Sequence, residues 1–175
     1  MEKTEERDDL ATVGDLVTAA KEYVRRTMGV ELDLSAESLP VVDHHLEETP
    51  FLEPSVQELM IAAFGIYFGE VARLRFKGRW VKEDTKENPS SLKMELAGGS
   101  LSFFPTGVVA EAIKKGPVDG WDGDIDVPRH AVSRLKEKLD RLGPVEERHY
   151  YSLVGRMEAL ESLVEGLKEM KKEKN

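Results

Sequence analysis

The segment Leu59-Met-Ile-Ala-Ala-Phe-Gly-Ile-Tyr-Phe-Gly69 decides the fold, because it has no charged residue on any face. A helix that is apolar nearly all round is usually buried all round. Apolar positions three and four residues apart extend this helical pattern from residue 55 to residue 76. We therefore expect a central buried helix over residues 55–76, with the rest of the chain packed around it.

Two glycines in this helix predict a close approach by another segment. Gly65 and Gly69 lie one helical turn apart, and neither has a β-carbon that would hold a neighbour away. In a lipid bilayer this spacing is typical of helix dimers. An apolar run of only about 10–14 residues is, however, typical of a buried helix in a globular core. We expect a close crossing inside the protein's own core.

The N-terminal part of the chain predicts a charged end and two helices. Residues 1–9 are highly charged and are expected to be flexible. Residues 10–28 carry apolar side chains at helical spacing, so they predict a helix with one buried face. The alternating segment 30–34 could form a short strand. Residues 35–48 predict a short acidic helix with a serine at its N-cap.

After residue 78 apolar side chains recur at every second position, which is typical of half-buried strands. The three short strands expected from this pattern are 79–82, 92–96 and 101–104. Helical spacing then returns, and glycine–proline pairs separate the segments. The three further helices expected are 108–115, 128–142 and 143–170.

These elements predict a helix-rich α+β fold, with about six helices around a small three-stranded antiparallel sheet. The chain has 175 residues, a length that one domain accommodates. We expect that domain to span residues 10–167, with the C-terminal helix 143–170 as a candidate interaction element. Residues 168–175 are expected to form a frayed tail.

Composition excludes several classes of site and partner. The chain has 25 Lys and Arg against 34 Asp and Glu, a net charge of −9, and it has no cysteine. Nucleic acids and anionic membrane surfaces need a cationic protein face, so neither is expected as a partner. The lack of cysteine excludes disulfides and thiolate chemistry. The charged start is unlike a secretory signal, so a cytoplasmic location is expected.

The last helix carries apolar residues at alternating spacings of three and four, for about two and a half heptads. These seam residues are Tyr150, Leu153, Met157, Leu160, Val164 and Leu167. The same spacing suits packing on the protein's own core or binding to a partner. The partner would be a protein, with a basic one favoured by the acidic composition, or a second copy of the chain.

The segment Asp43-His-His-Leu-Glu-Glu48 is the place where metal-type ligands cluster. On a helix, His44 and Glu48 share a face and could bind zinc, manganese or iron. A third ligand would have to come from elsewhere, such as His130 or His149. A solvated polar helix face accounts for the same residues, and no cofactor is expected.

A second acidic segment has part of a calcium-loop pattern. Asp122, Asp124 and Asp126 alternate along the chain, but the glycine and glutamate that an EF-hand needs at its sixth and twelfth positions are Val127 and Ser133. The segment therefore predicts an acidic turn that leads into a helix.

Glu70 lies at the margin of the buried stripe of the central helix. A buried carboxylate needs a partner, and Arg73, Arg75 and Arg79 are close in sequence. We expect a Glu–Arg brace that ties the helix to the strand at Trp80. The alternative is a ligand pocket beside Glu70, Arg79 and Trp80.

Several segments resemble an uncharacterised group of small bacterial domains, some of which lie near toxin–immunity loci. They are the Ser-capped acidic helix that follows Leu32, the helix Phe64-Gly-Ile-Tyr-Phe-Gly-Glu-Val71, the strand Gly78-Arg-Trp80, and Leu101-Ser-Phe-Phe-Pro105. The resemblance covers about residues 10–115. It implies a shared fold, and it carries over no catalytic residue.

No nucleophile motif, phosphate-binding loop or dinucleotide fingerprint is present in the sequence. The predicted function is therefore that of a non-enzymatic acidic interaction protein, either an adaptor or an immunity-type protein that binds a protein partner. Two alternatives stay open. One is a metal-dependent hydrolase that uses residues 43–48, and the other is a small-molecule sensor with a pocket near Glu70 and Trp80.

Overall fold

The structure is a computed structural model, and it describes residues 2–83 and 91–175. In these ranges seven α-helices are present: α1 (Glu2–Met28), α2 (Leu39–Glu48), α3 (Pro54–Phe76), α4 (Pro105–Lys114), α5 (Val132–Arg141), α6 (Glu147–Tyr150) and α7 (Leu153–Glu173). Four strands form one antiparallel sheet in the order β1-β2-β3-β4: β1 (Arg79–Lys82), β2 (Leu92–Leu96), β3 (Leu101–Phe103) and β4 (Ile125–Asp126). The predicted helix-rich α+β class is confirmed.

α3 is the central helix, as its sequence predicts. The twelve buried residues of α3 lie between Met60 and Ala72, and they include three of its four aromatic side chains, Phe64, Tyr67 and Phe68. α1 packs along α3, and α4 packs along it as well. Side chains from every α-helix except α6, and from β2 and β3, join α3 in one hydrophobic core.

The two glycines of α3 mark where its neighbours come closest. A β-carbon added at Gly65 would lie 2.6 Å from the α-carbon of Thr106, in the first turn of α4. A β-carbon at Gly69 would overlap the ring of Trp80 and touch Pro105. The predicted close crossing is therefore confirmed, and it joins α3 to both α4 and β1.

The sheet has four strands in the described residues, so the prediction of three is wrong. The missed strand is β4, in which Ile125 pairs with Phe103 and Asp126 pairs with Ser102. A two-residue strand is too short to show an alternating pattern, and its Asp- and Gly-rich surroundings predict a loop. The segment 30–34, predicted as a possible strand, contains none.

The helix bounds differ from the predictions at both ends of the chain. α1 begins at Glu2 rather than at Leu10, and α7 continues to Glu173 through residues predicted as a frayed tail. Charged residues such as Glu, Lys and Arg favour helix without any apolar stripe, so apolar spacing underestimates such helices. The additional short helix α6 brings the number from about six to seven.

None of the helices in the described ranges combines the length and the apolar character needed to cross a lipid bilayer.

Substitution of Gly65 tests the crossing. We expect Gly65→Ala to lower the free energy of unfolding by about 1–3 kcal/mol, the usual cost of an overpacked core, because the new methyl group would press on the backbone of Thr106. Chemical denaturation of the purified protein measures this change.

Gly14→Ala in α1 is the matched control. A β-carbon at Gly14 meets no described heavy atom within 4 Å, so alanine should raise stability by about 0.5–1 kcal/mol through its helix propensity. A Gly65→Ala protein at least as stable as the wild type would contradict the close crossing.

Candidate functional site

The predicted seam of the last helix lies inside the molecule. Five of its six residues are at most 5% exposed and belong to the main core, where α7 packs on α2, α4 and α5. They are Leu153, Met157, Leu160, Val164 and Leu167. A partner could reach them only by displacing the protein's own core. Partner binding at these five positions stays a prediction that the geometry does not support, whereas Tyr150 is 46% exposed.

Glu70 forms a brace. Its Oε1 accepts hydrogen bonds from Trp80 Nε1 at 2.7 Å and from Arg73 Nε at 2.6 Å, and its Oε2 accepts from Arg73 at 3.0 Å. Arg79 instead pairs with Glu95 at 2.7 Å. Both oxygens of the Glu70 carboxylate thus already accept hydrogen bonds from the protein. This geometry gives no support to a ligand pocket beside Trp80.

The side chains of residues 43–48 in α2 lie in different environments. His44 and Glu48 are exposed, whereas His45 is buried and stacks on Phe64. Burial lowers the pKa of His45, and the neighbouring His44 lowers it further. Within residues 2–83 and 91–175, no group of three or more His, Asp or Glu side chains is placed to hold a metal ion.

The other candidate ligands are Asp43, His130 and His149, and each of them is either exposed or bound to a neighbouring group. Asp43 caps α7, because its Oδ1 accepts from the N–H of Leu153 at 2.7 Å and its Oδ2 accepts from the N–H of Val154 at 3.2 Å. Burial raises the pKa of Asp43, and these two donors act against that shift. His130 is exposed, and His149 lies 2.5 Å from a carboxylate oxygen of Glu158. The metal-dependent alternative stays a prediction without support from this geometry.

An open cleft of about 440 Å³ lies between β4, α5 and α7. We call it the Arg156 cleft. Its apolar lining residues are Ile125, Val127, Val132, Leu135, Leu139, Ala159 and Leu163, and its polar ones are Asp124, Asp126, Lys136, Tyr150 and Arg156. The cleft therefore combines an apolar interior with charged groups.

Arg156 is the unusual residue of this cleft, because it is an arginine that is only 3% exposed. One terminal nitrogen donates to the carbonyl of Gly123 at 3.0 Å, and the other donates to Oε2 of Glu111 at 2.6 Å. The guanidinium carbon lies 4.4 Å from the ring centre of Tyr150 and 5.5 Å from that of Tyr151. Its Nε has no acceptor among the described residues.

Glu111 of α4 balances the charge of Arg156. Burial raises the pKa of Glu111, the charge of Arg156 lowers it, and nearby Asp124 raises it. A β-carbon at Gly123 would overlap the carboxylate of Glu111. Glycine at this position therefore lets the segment before β4 close over the buried ion pair.

The rim of the cleft carries both apolar and acidic side chains. Val132 and Tyr150 are each 46% exposed. Asp124 and Asp126 are exposed, and neither has an ion pair within the part of the chain that the structure describes. The site thus offers an apolar surface with two carboxylates and the exposed amine of Lys136 beside it.

Sequence reasoning found Tyr150 and the aspartates but assigned them to a seam and to a turn. It missed Glu111 and Arg156. One signal was available, because Glu111 is the only charged residue between Leu101 and Ile113. A single charge in an apolar helix predicts a buried partner, although the sequence does not say which one.

Comparisons of the chain with protein-family models, with curated proteins and with solved structures give no match. The resemblance to a group of small bacterial domains therefore stays a prediction.

Removal of one partner tests the buried ion pair. Arg156→Leu should lower the free energy of unfolding by about 3–5 kcal/mol at pH 7, because the carboxylate of Glu111 is then buried without its counter-charge. Burial raises the folded-state pKa of Glu111 above its unfolded value, so the favourable contribution of the protonated acid is lost as the pH rises. The loss should therefore be smaller at pH 5 than at pH 7, as measured by urea denaturation.

Adding Glu111→Gln to the Arg156→Leu protein removes the unpaired charge. We expect this double variant to recover much of the stability at pH 7 and to lose the added pH dependence. An equal loss at both pH values, with no recovery in the double variant, would contradict the role given to the pair.

Proposed function

We propose that the protein is a non-enzymatic binding protein, of the adaptor or immunity type, whose Arg156 cleft binds a segment of a partner protein. That segment carries one or two large apolar side chains flanked by Lys or Arg. The observation that supports this proposal is the placement of the exposed Val132 and the half-buried Leu139 of α5 in one cleft with Asp124 and Asp126.

The apolar part of the cleft provides the contact area. Val132 and Leu139 line it from α5, and the buried side chains of Leu135 and Leu163 lie behind them. Its volume of about 440 Å³ falls within the ~300–1,000 Å³ that is common for small-molecule pockets, so it has room for one or two large side chains. Apolar side chains from a partner would displace water from this surface, which is the main source of affinity in protein contacts.

The charge of the cleft selects the partner. Arg156 is already matched by Glu111, and Lys136 is the remaining cation of the lining, so the two carboxylates at the rim leave the cleft with a net charge of −1. The net charge of −9 extends the same preference over the whole molecule. Complementary charge speeds association and rejects partners of the wrong sign, so a basic segment is favoured over an acidic one.

Tyr150 is the aromatic anchor in this proposal. Its ring stacks on the fixed guanidinium of Arg156, and Tyr151 meets it edge-on with ring centres 4.9 Å apart. A side chain held in place before binding loses little conformational freedom when a partner arrives. Tyrosine and arginine are also the residue types that most often dominate binding energy at interfaces.

Selection of peptides from a displayed random library on the purified protein tests the proposal. We expect enriched sequences with Leu, Ile, Phe or Trp next to Lys or Arg. The double variant Asp124→Lys, Asp126→Lys should bind the enriched peptides at least tenfold more weakly, as measured by fluorescence anisotropy, because it reverses the charge of the rim.

The double variant Glu31→Lys, Glu37→Lys is the matched control. It changes the net charge by the same amount at two exposed residues outside the cleft, and it should bind with nearly the wild-type affinity. Equal weakening in both double variants would mean that the net charge of the protein, and not the rim of the cleft, causes the preference for basic peptides. That result, or enrichment of acidic peptides, would overturn the proposed site.

A further inference from the structure

A second apolar surface lies between α1 and α3. A groove of about 240 Å³ is lined from α1 by Ala19, Ala20, Glu22, Tyr23 and Arg26, and from α3 by Leu59, Met60, Ala63 and Phe64. Most of its lining is apolar, and Leu59 is exposed at its edge. It shares no residue with the Arg156 cleft.

Among the residues whose exposure the structure describes, Phe51 is the most exposed large apolar one, at 88%. It ends the short turn Thr49–Phe51 between α2 and α3. The turn is held on both sides, because Thr49 donates its hydroxyl to the carbonyl of His45 at 3.1 Å, and Gln57 donates to the carbonyl of Leu52 at 2.8 Å. The ring is therefore presented to solvent from a turn anchored to both helices.

We propose that two copies of the chain associate about a two-fold axis, with Phe51 of each copy inserted into the α1–α3 groove of the other. A two-fold interface is isologous, so each surface must carry both halves of every contact. This chain carries an apolar projection and an apolar groove large enough for one aromatic ring.

Charge complementarity supports a second copy as the occupant. On the groove side, Arg25 and Arg26 share one carboxylate, that of Glu22, at 2.8 Å and 2.6 Å. The hydrogen bonds from these two arginines lower the pKa of Glu22 to about 2, so it stays ionised. These three groups together carry one positive charge, and Glu31 lies close enough to act on Arg25, which leaves Arg26 as the arginine that faces a partner.

The surface around Phe51 carries a negative charge, opposite to that of the groove. Glu53 lies two residues after Phe51, is exposed, and has no ion pair among the residues that the structure describes. Insertion of Phe51 into the groove of a second copy would bring Glu53 towards Arg26 of that copy. This pairing would occur twice in the dimer, and it would offset part of the repulsion between two chains of net charge −9.

Sedimentation velocity of the full chain tests the proposal, at concentrations from about 1 μM to about 1 mM, where small interfaces are populated. The wild type should change from monomer to dimer as its concentration rises. Phe51→Ser removes the projection, and Ala19→Arg fills the groove from an exposed position, so each variant should sediment as a monomer throughout.

Leu10→Ser is the control, because it removes another exposed apolar side chain, 56% exposed and outside the groove. This variant should dimerise like the wild type. A wild type that stays monomeric at every concentration would overturn the proposal and leave the groove to a different protein. Dimerisation unchanged by Phe51→Ser would overturn it as well.

Cysteine cross-linking tests the arrangement of the two copies, since the chain has no cysteine of its own. An oxidised mixture of Glu53→Cys and Arg26→Cys proteins should form the mixed disulfide dimer in preference to either symmetric one. A mixture of Glu37→Cys and Arg26→Cys should not, because Glu37 belongs to the turn before α2 and not to the segment that carries Phe51. Equal cross-linking in both mixtures would contradict the two-fold arrangement.

Discussion

The structure depends on how closely α3 approaches the start of α4 and the ring of Trp80. Gly65 and Gly69 leave no side chain in these contacts, and any β-carbon there would collide with Thr106 or Trp80. Close packing requires a glycine in α4 as well. A β-carbon at Gly107 would overlap the backbone of Asp122, so the segment after α4 folds back over its first turn. The position of β4, and with it one wall of the Arg156 cleft, follows from this packing.

The second determinant is the ion pair between α4 and α7. Burial of Arg156 is unfavourable by itself, and Glu111 and the carbonyl of Gly123 offset that cost by accepting hydrogen bonds at 2.6 Å and 3.0 Å. The fixed guanidinium then holds Tyr150 at the edge of the cleft. A structural ion pair thus positions the aromatic anchor of the proposed binding surface, while the aspartates of the rim stay unpaired in the described part of the chain.

The local pattern of the sequence predicted those features that depend on neighbouring residues. The uncharged run before Gly69 predicted the buried helix, and alternation predicted β1 and β2. Features that depend on distant residues were not predictable. The pairing of Arg156 with Glu111 spans 45 positions, and β4 is recognisable only from its partner β3. The heptad spacing at Leu153 and Met157 is the same whether a helix packs on its own core or on a partner, so the sequence left that choice open.

Site-specific photo-cross-linking tests the central claim, that the Arg156 cleft is where a partner binds. A benzophenone amino acid would replace Val132 in the full-length chain, expressed at its native level in its own host. The account predicts one dominant cross-linked protein, lost when Asp124 and Asp126 are changed to lysine and absent when the probe stands at Leu10 instead. Equal cross-linking from both positions, or a product that survives the charge reversal, would contradict it.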